Sequence, residues 1–328
     1  MKNRFPAVRA TIMAMGVLAC AASAGPVAAA PDDCDRACLK DHVDQVLAGL
    51  LHHDASSLPL AEHYRSIFNG KPDKPGEGEI WRVIDKIDFH QYVPDPKSGQ
   101  IAFFGVAEQD RKRGTLFLRL AVAHGKLTDI ELIAGNRILG GVPGLISPNP
   151  FYDYVLPPAQ RRTREQLIAI ADSYFQGLQV HDGSKVPVSA DCRRFEDGVQ
   201  TSLNAVFMPL PCNGLQPFTY MDATANRMYP VVDVERGLVV GQMVIQVSKA
   251  AGPPSAPPPS SAAEKSAAAA AVAATEANVA AGMIMPFNEF RNKPHDTIIH
   301  ELFKIVDGRI IEIQTIRLDR PYGWGGGW

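Results

Sequence analysis

Three side chains sit where proton-transfer chemistry would need them. His90 and Tyr92 alternate onto one face of an extended run, with Phe89 and Gln91 on the other. Glu301 lies in an apolar row with Ile299, Phe303 and Ile305, opposite His300, Leu302 and Lys304. A histidine or carboxyl group beside a tyrosine in an apolar pocket can take a proton from a weakly acidic C–H or O–H. The tyrosine can then donate to the oxygen that gains charge. His90, Tyr92 and Glu301 are therefore the expected catalytic residues, with His300 facing solvent. The bland alternatives are sheet-lining residues for the first pair and an edge-strand charge for Glu301. Tyr229, Val231 and Asp233 alternate onto one face in the same way, which makes Tyr229 and Asp233 expected binding positions.

Other clusters read as structure. His53-Asp54 and His181-Asp182 each fall where a helix should end, where histidine suits the dipole and aspartate caps the next turn. Arg65 and Arg193 are expected to pair with Asp44 and Asp172. His42, His52, His53 and His63 have no spacing that fixes a metal geometry, so no metal is expected. Trp81, Tyr152, Tyr154, Trp324 and Trp328 lie near domain edges, placed to pack or to cover a pocket, and Trp81 is the one assigned to ligand binding. The chain has no Walker loop, G-x-G-x-x-G, G-x-S-x-G or H-E-x-x-H motif, so its motifs name no reaction.

The elements that carry these residues occur twice. Residues 36–70 align with 164–198 at a constant offset of 128, and 11 of the 35 positions are identical without a gap. Asp95 and Gly99 match Asp233 and Gly237, and His124-Gly125 matches Asp307-Gly308. Each copy opens with an amphipathic helix: Val43, Val46, Leu47, Leu50 and Leu51 in one, Leu167, Ile168, Ala171, Phe175 and Leu178 in the other. Pro59 or Pro187 then turns the chain into extended structure. Hairpins follow, 87–94 with 100–108 and 115–123 with 127–134. Their counterparts are 227–234 with 238–247 and 297–306 with 309–318. The fold class is α+β: two tandem cone-shaped units, each of helices on a curved antiparallel sheet, spanning 33–140 and 161–320. A Pro/Gly-rich linker fills 141–160, a Pro/Ala-rich insertion 250–285, and a Gly/Trp tail 321–328.

The 328 residues carry 33 Lys+Arg against 35 Asp+Glu, which leaves no basic stripe for nucleic acid. Residues 1–30 read as a secretory signal peptide: Lys2, Arg4 and Arg9, an apolar run to Cys20, then small residues. Lipid anchoring at Cys20 is the minor alternative. Removal of the segment leaves 30 basic and 35 acidic residues, net −5, a poor match for anionic membranes. A periplasmic or secreted location favours disulfides among Cys34, Cys38, Cys192 and Cys212. Cys192 with Cys212 closes a loop of about 20 residues, worth about 3 kcal/mol in the chain-entropy model. Between Cys34 and Cys38, one helical turn apart, a bond is sterically tight and their pairing stays open, with redox or zinc chemistry as the alternative role for the four cysteines.

The plan resembles the nuclear transport factor 2-like (SnoaL-like) superfamily, and more narrowly a secreted group with two such units in tandem. The resemblance rests on Cys34-Asp35-Arg36-Ala37-Cys38-Leu39, Leu58-Pro59-Leu60-Ala61 and Asn69-Gly70 in the first copy. In the second it rests on Tyr229-Pro230-Val231-Val232-Asp233, the strand pair around Phe303 to Ile310, and the tail Pro321-Tyr322-Gly323 to Trp328. In that group a Thr-Glu pair precedes Asn-Gly in the first unit. Here those positions are Ile67 and Phe68, whereas the second copy keeps Glu196, which joins the expected binding residues. The resemblance implies a cofactor-independent lyase or isomerase, of dehydration or retro-aldol type, on a small hydroxylated hydrophobic or aromatic molecule. A non-catalytic binding module of the same fold is the alternative, and homo-oligomerisation stays open.

Overall fold

Asp35 begins the first helix by accepting a hydrogen bond from the Cys38 backbone N–H at 2.9 Å. The helix, α1 (Arg36–His52), buries Leu39, Val43, Val46, Leu47 and Leu50 on one stripe, whereas Leu51, expected on it, is exposed because it lies past the edge of the face that the sheet covers. His53 ends it in the left-handed conformation, φ 57°, and its N–H returns to the Gly49 and Leu50 carbonyls. A Cβ at Gly49 would stand 2.8 Å from the Asp54 carbonyl oxygen, so the chain turns back only over a glycine. This computed structural model describes residues 34–109, 112–135, 150–204, 209–248 and 293–324, with positions 262 and 266; side chains at 89, 90 and 112 lie outside that set. The leader with Cys20, residues 141–149 of the linker, the bulk of the Pro/Ala insertion and Trp328 are outside it as well.

The first half continues with β1 (Leu60–Phe68), β2 (Lys71–Pro72), the short α2 (Ile80–Val83), β3 (Ile84–Asp95), β4 (Gln100–Gln109), β5 (Lys112–Ala123) and β6 (Lys126–Ala134). Asn69-Gly70 supplies two positive φ angles, 51° and 72°, for the tight turn into β2. The strand order is β2-β1-β6-β5-β4-β3. The second half repeats it with α3 (Arg164–Val180), β7 (Val188–Glu196), β8 (Val199–Gln200), β9 (Ala223–Asp233), β10 (Leu238–Val247), β11 (His295–Val306) and β12 (Arg309–Pro321), ordered β8-β7-β12-β11-β10-β9. Thr163 and Gln166 form a reciprocal capping box at the start of α3.

The expected hairpins pair as drawn, but neither sheet is purely antiparallel. β1 runs parallel to β6 and β7 parallel to β12. No tight turn joins those neighbours, so nothing forces opposite directions on them. Two further expectations change for the same kind of reason. Arg65 pairs with Asp129 at 2.7 Å and Arg193 with Glu312 at 2.5 Å, their direct cross-strand neighbours, rather than with Asp44 and Asp172. Tyr229 and Val231 do not share a face, because a register shift between the Gln242 and Val240 pairings bulges β9 between them. Tyr229 packs towards α3 and Val231 into the opposite layer.

Each sheet takes its helix on one face and the other sheet on its second face. The helix-side core of the first half joins Leu39, Val43 and Leu50 to Ile101, Phe103 and Leu118. That of the second joins Leu167, Phe175 and Leu178 to Val239, Phe303 and Ile313. Between the sheets, Phe104, Phe117 and Ile133 meet Val240, Ile298 and Leu302. The layering is helix, sheet, sheet, helix. His300 points into the middle of it and is fully buried, not solvent-facing, because the face opposite Glu301 is covered by the other sheet.

The two halves are also clamped reciprocally. Arg36 at the start of α1 donates to Asp233 at 2.8 Å, and Arg164 at the start of α3 donates to Asp95 at 2.6 Å. Both carboxylates are buried. The arginines are equivalent in the repeat and so are the aspartates, so one interaction is made twice across an approximate two-fold relation.

Candidate functional site

The second half holds a polar cluster between α3 and its sheet, and Glu301 belongs to it. Glu301 on β11 accepts from the Thr315 hydroxyl of β12 at 3.0 Å, while its other oxygen, Oε2, is buried with no hydrogen-bond partner among the described residues. Burial pushes the Glu301 carboxyl up to about 8, aided by the Glu196 charge and only partly opposed by Thr315, Arg194 and Arg317. The side chain is held as a neutral acid around neutral pH. Across the ladder it faces Gly241, where any Cβ would strike the Phe175 ring at 2.8 Å. The missing side chain at 241 lets the Phe175 ring lie against the sheet beside Glu301.

Arg194 on β7 is fully buried. Its guanidinium donates to Thr201 at 3.1 Å, to the Tyr174 hydroxyl at 3.2 Å and to the Cys212 carbonyl at 3.4 Å, and lies over the Phe218 ring. Glu196 pairs with it at 3.0 Å and with Arg317 at 3.1 Å. Burial alone would raise the Glu196 carboxyl, but those two guanidiniums outweigh it and hold the group below the ordinary range. Arg317 also pairs with Asp197 at 2.9 Å. The Cys192–Cys212 disulfide ties β7 to the loop that presents the Cys212 carbonyl. Burial raises the phenols of Tyr174 and Tyr220. At the rim, Tyr229 stacks on Phe175 and donates to Asp172 at 2.7 Å; burial, that bond and the Glu301 charge all raise its phenol. Tyr174, Tyr229, Arg194 and Arg317 thus sense the same carboxyl electrostatically.

Three expected residues, Glu301, Glu196 and Tyr229, come together here, and the others lie elsewhere. His90 sits on β3 opposite Gly105, with its side chain outside the described residues. Tyr92 donates to Asp44 at 2.5 Å on the first half's helix side, far along the chain from Glu301. Trp81 is buried in the first helix-side core. Asp233 is buried in the clamp, accepting from Arg36 and Arg236.

The site residues missed above are Tyr174, Arg194, Thr201, Tyr220, Thr315 and Arg317. The repeat contained the signal. At the offsets already given, Tyr174 corresponds to Val46, Arg194 to Ser66, Glu196 to Phe68, Glu301 to Leu118, Thr315 to Leu132 and Arg317 to Ala134. The ladders keep this correspondence: Leu118 pairs with Leu132 as Glu301 pairs with Thr315, and Phe68 with Leu132 as Glu196 with Thr315. Copy one fills the same place with a hydrophobic core. Polar residues are thus concentrated in one copy at positions the fold fills with hydrocarbon in the other.

Cys34, Cys38 and one ring nitrogen of His42 lie within 4.8 Å of one another at the start of α1. Cys34 and Cys38 are joined as a disulfide, so they offer no thiolate in this state. No described helix is long and apolar enough to cross a membrane.

A family profile described as "Domain of unknown function (DUF8021)" matches residues 160–317, the second half. No curated protein matches the chain. Among solved structures, a de novo designed protein with a curved β-sheet is 18% identical, covering 30% of this chain and 87% of its own, with a TM-score of 0.26. The "Putative SnoaL-like polyketide cyclase" of Jannaschia sp. CCS1 is 12% identical, covering 50% of this chain and 90% of its own, with a TM-score of 0.27.

Proposed function

We propose that the second half is the working unit of a cofactor-independent lyase or isomerase that acts on a small hydroxylated hydrophobic or aromatic molecule. The observation that carries this is Glu301, a buried carboxyl with one unpartnered oxygen and a proton affinity near neutrality. Near pH 8 both forms of Glu301 are populated. In a dehydration, the ionised form takes the proton from carbon next to a carbonyl, and the resulting acid gives it to the departing hydroxyl, so water leaves, the carbon–carbon double bond forms and the carboxylate is restored. Tyr174, bonded to Arg194, is the donor for the carbonyl oxygen as it gains charge. Phe175 and Tyr229 supply aromatic surface at the rim. His90 and Tyr92 lie in the other half and take no part in this step.

The reading also takes each half as one cone-shaped unit and places the chain in an oxidising compartment, periplasmic or secreted, which the two disulfides support. The rival is a binding module. It draws support from Arg194, whose bonds to Thr201, Tyr174 and the Cys212 carbonyl make it part of a closed structural network.

Small molecules that co-purify with the native protein, identified by mass spectrometry, supply the candidate ligands. These, with a set of aromatic β-hydroxy ketones, are then assayed for turnover. Glu301→Gln is expected to abolish turnover while changing affinity by less than about tenfold, or about 1.4 kcal/mol. Full activity in that variant would eliminate Glu301 as the acid–base group, and binding without turnover in the wild type would favour the module.

A further inference from the structure

The first helix carries a second constellation that the Glu301 site does not use. Cys34, Cys38 and His42 are spaced one turn apart, and their ligand atoms converge within 4.8 Å. His42 is only 8% exposed, and its Nδ1 is buried with no hydrogen-bond partner among the described residues. The fold does not need a staple here. At the equivalent positions copy two has Arg162, Gln166 and Ile170, and there Thr163 and Gln166 start the helix by capping alone. The bond also closes a much shorter loop than Cys192–Cys212, with a sequence separation of 4 against 20, so it removes less unfolded-chain entropy.

We propose that Cys34–Cys38 is a redox-gated site for a zinc-class cation, with His42 as the third ligand. A dithiol reductant passes two electrons and two protons to the disulfide and is itself oxidised to a disulfide, leaving two thiols. Zn²⁺ then displaces both thiol protons and binds two thiolates and one neutral imidazole, with water at the fourth position. Donor atoms around tetrahedral zinc lie about 3.5 Å apart, so the present cluster closes with side-chain movements of about an ångström once the S–S bond opens. The amide N–H groups at the start of α1 favour the thiolate forms. Cys38 is half-buried, which gives a reductant access, whereas Cys192 and Cys212 are fully buried.

The test uses the full chain with Cys20→Ser, so that only two cysteine pairs remain. Mild reduction followed by alkylation mapping should label Cys34 and Cys38 and leave Cys192–Cys212 closed. The reduced protein should then bind one equivalent of Cd²⁺, read by thiolate-to-metal charge-transfer absorption, and Zn²⁺ should compete. The oxidised protein should bind none. His42→Ala should weaken binding by at least about tenfold, the least that losing even an outer partner of a metal ligand costs. A Cys34→Ser/Cys38→Ser double variant that melts like the oxidised wild type should bind no Cd²⁺. Equal uptake by the oxidised form, by His42→Ala or by the folded double variant would overturn the proposal.

Discussion

Glu301 carries the residue-scale consequences. Its folded-state pKa, about 8, lies above the ordinary 4.5, so the unfolded chain releases this proton at a lower pH than the folded one. The stability it contributes is complete below about pH 4.5 and is lost as pH rises towards 8. Glu301→Gln cannot ionise, so its melting temperature should stay nearly level across that window while the wild type declines, as differential scanning fluorimetry at stepped pH would show. A variant that declines in parallel would assign the slope to another group. Arg194 gives the complementary case. Arg194→Met leaves Glu196 buried with one guanidinium instead of two and should cost about 3–5 kcal/mol, read from the urea midpoint. In copy one the matching Ser66 has no such debt, and Ser66→Ala should change stability by less than about 1 kcal/mol.

At the scale of elements, the helices and hairpins were legible because their signals are local. The apolar spacing of the two helices, Pro59 with Pro187, and Asp307-Gly308 act over a few turns of chain at most, and the duplication removed ambiguity. The bulge in β9 was not legible. Alternation alone puts Tyr229 and Val231 on one face, and only pairing with β10 inserts the extra residue that separates them. The parallel placement of β1 was hidden for a related reason, since its partner β6 lies some sixty residues away with no connecting turn. Gly241 is an element-scale test of the site. Gly241→Ala drives a methyl group into the Phe175 ring and should destabilise by about 1–3 kcal/mol. If the proposed function holds, it should also weaken ligand binding beside Glu301, visible as a loss of ligand-induced thermal shift.

At the scale of the molecule, the sheets meet around a buried polar knot. Glu131 on β6 accepts from Arg119 at 2.8 Å, from Gln242 at 3.0 Å and from Nε2 of His300 at 3.1 Å, the last two reaching across from the other sheet. Burial alone would raise this carboxyl, but His300, Arg119 and Gln242 together bring it down to about 2. Its contribution is therefore present above about pH 4.5 and lost as pH falls towards 2. Glu131→Gln should cost about 3–5 kcal/mol at neutral pH and flatten the acid limb of the stability profile. The clamps work at the same scale. Asp95→Asn leaves Arg164 without its buried partner, and Asp233→Asn does the same to Arg36; each should cost about 3 kcal/mol by denaturant midpoint.

From the sequence alone come the duplication, the helix-then-hairpins plan of each copy, and the apolar row that holds Glu301. Each rests on periodicity or on residues close in the chain, where local sterics and hydrogen bonding decide. The tertiary structure decided what covers each face. His300 is buried because a second sheet lies over it, and the duplicated Arg36/Arg164 and Asp95/Asp233 matter because each pair is made between copies. Arg194, Tyr174 and Glu301 form one site because α3, β7 and β11 converge across more than a hundred residues. Burial and charge depend on neighbours brought in from afar, and one sequence read alone does not identify those neighbours.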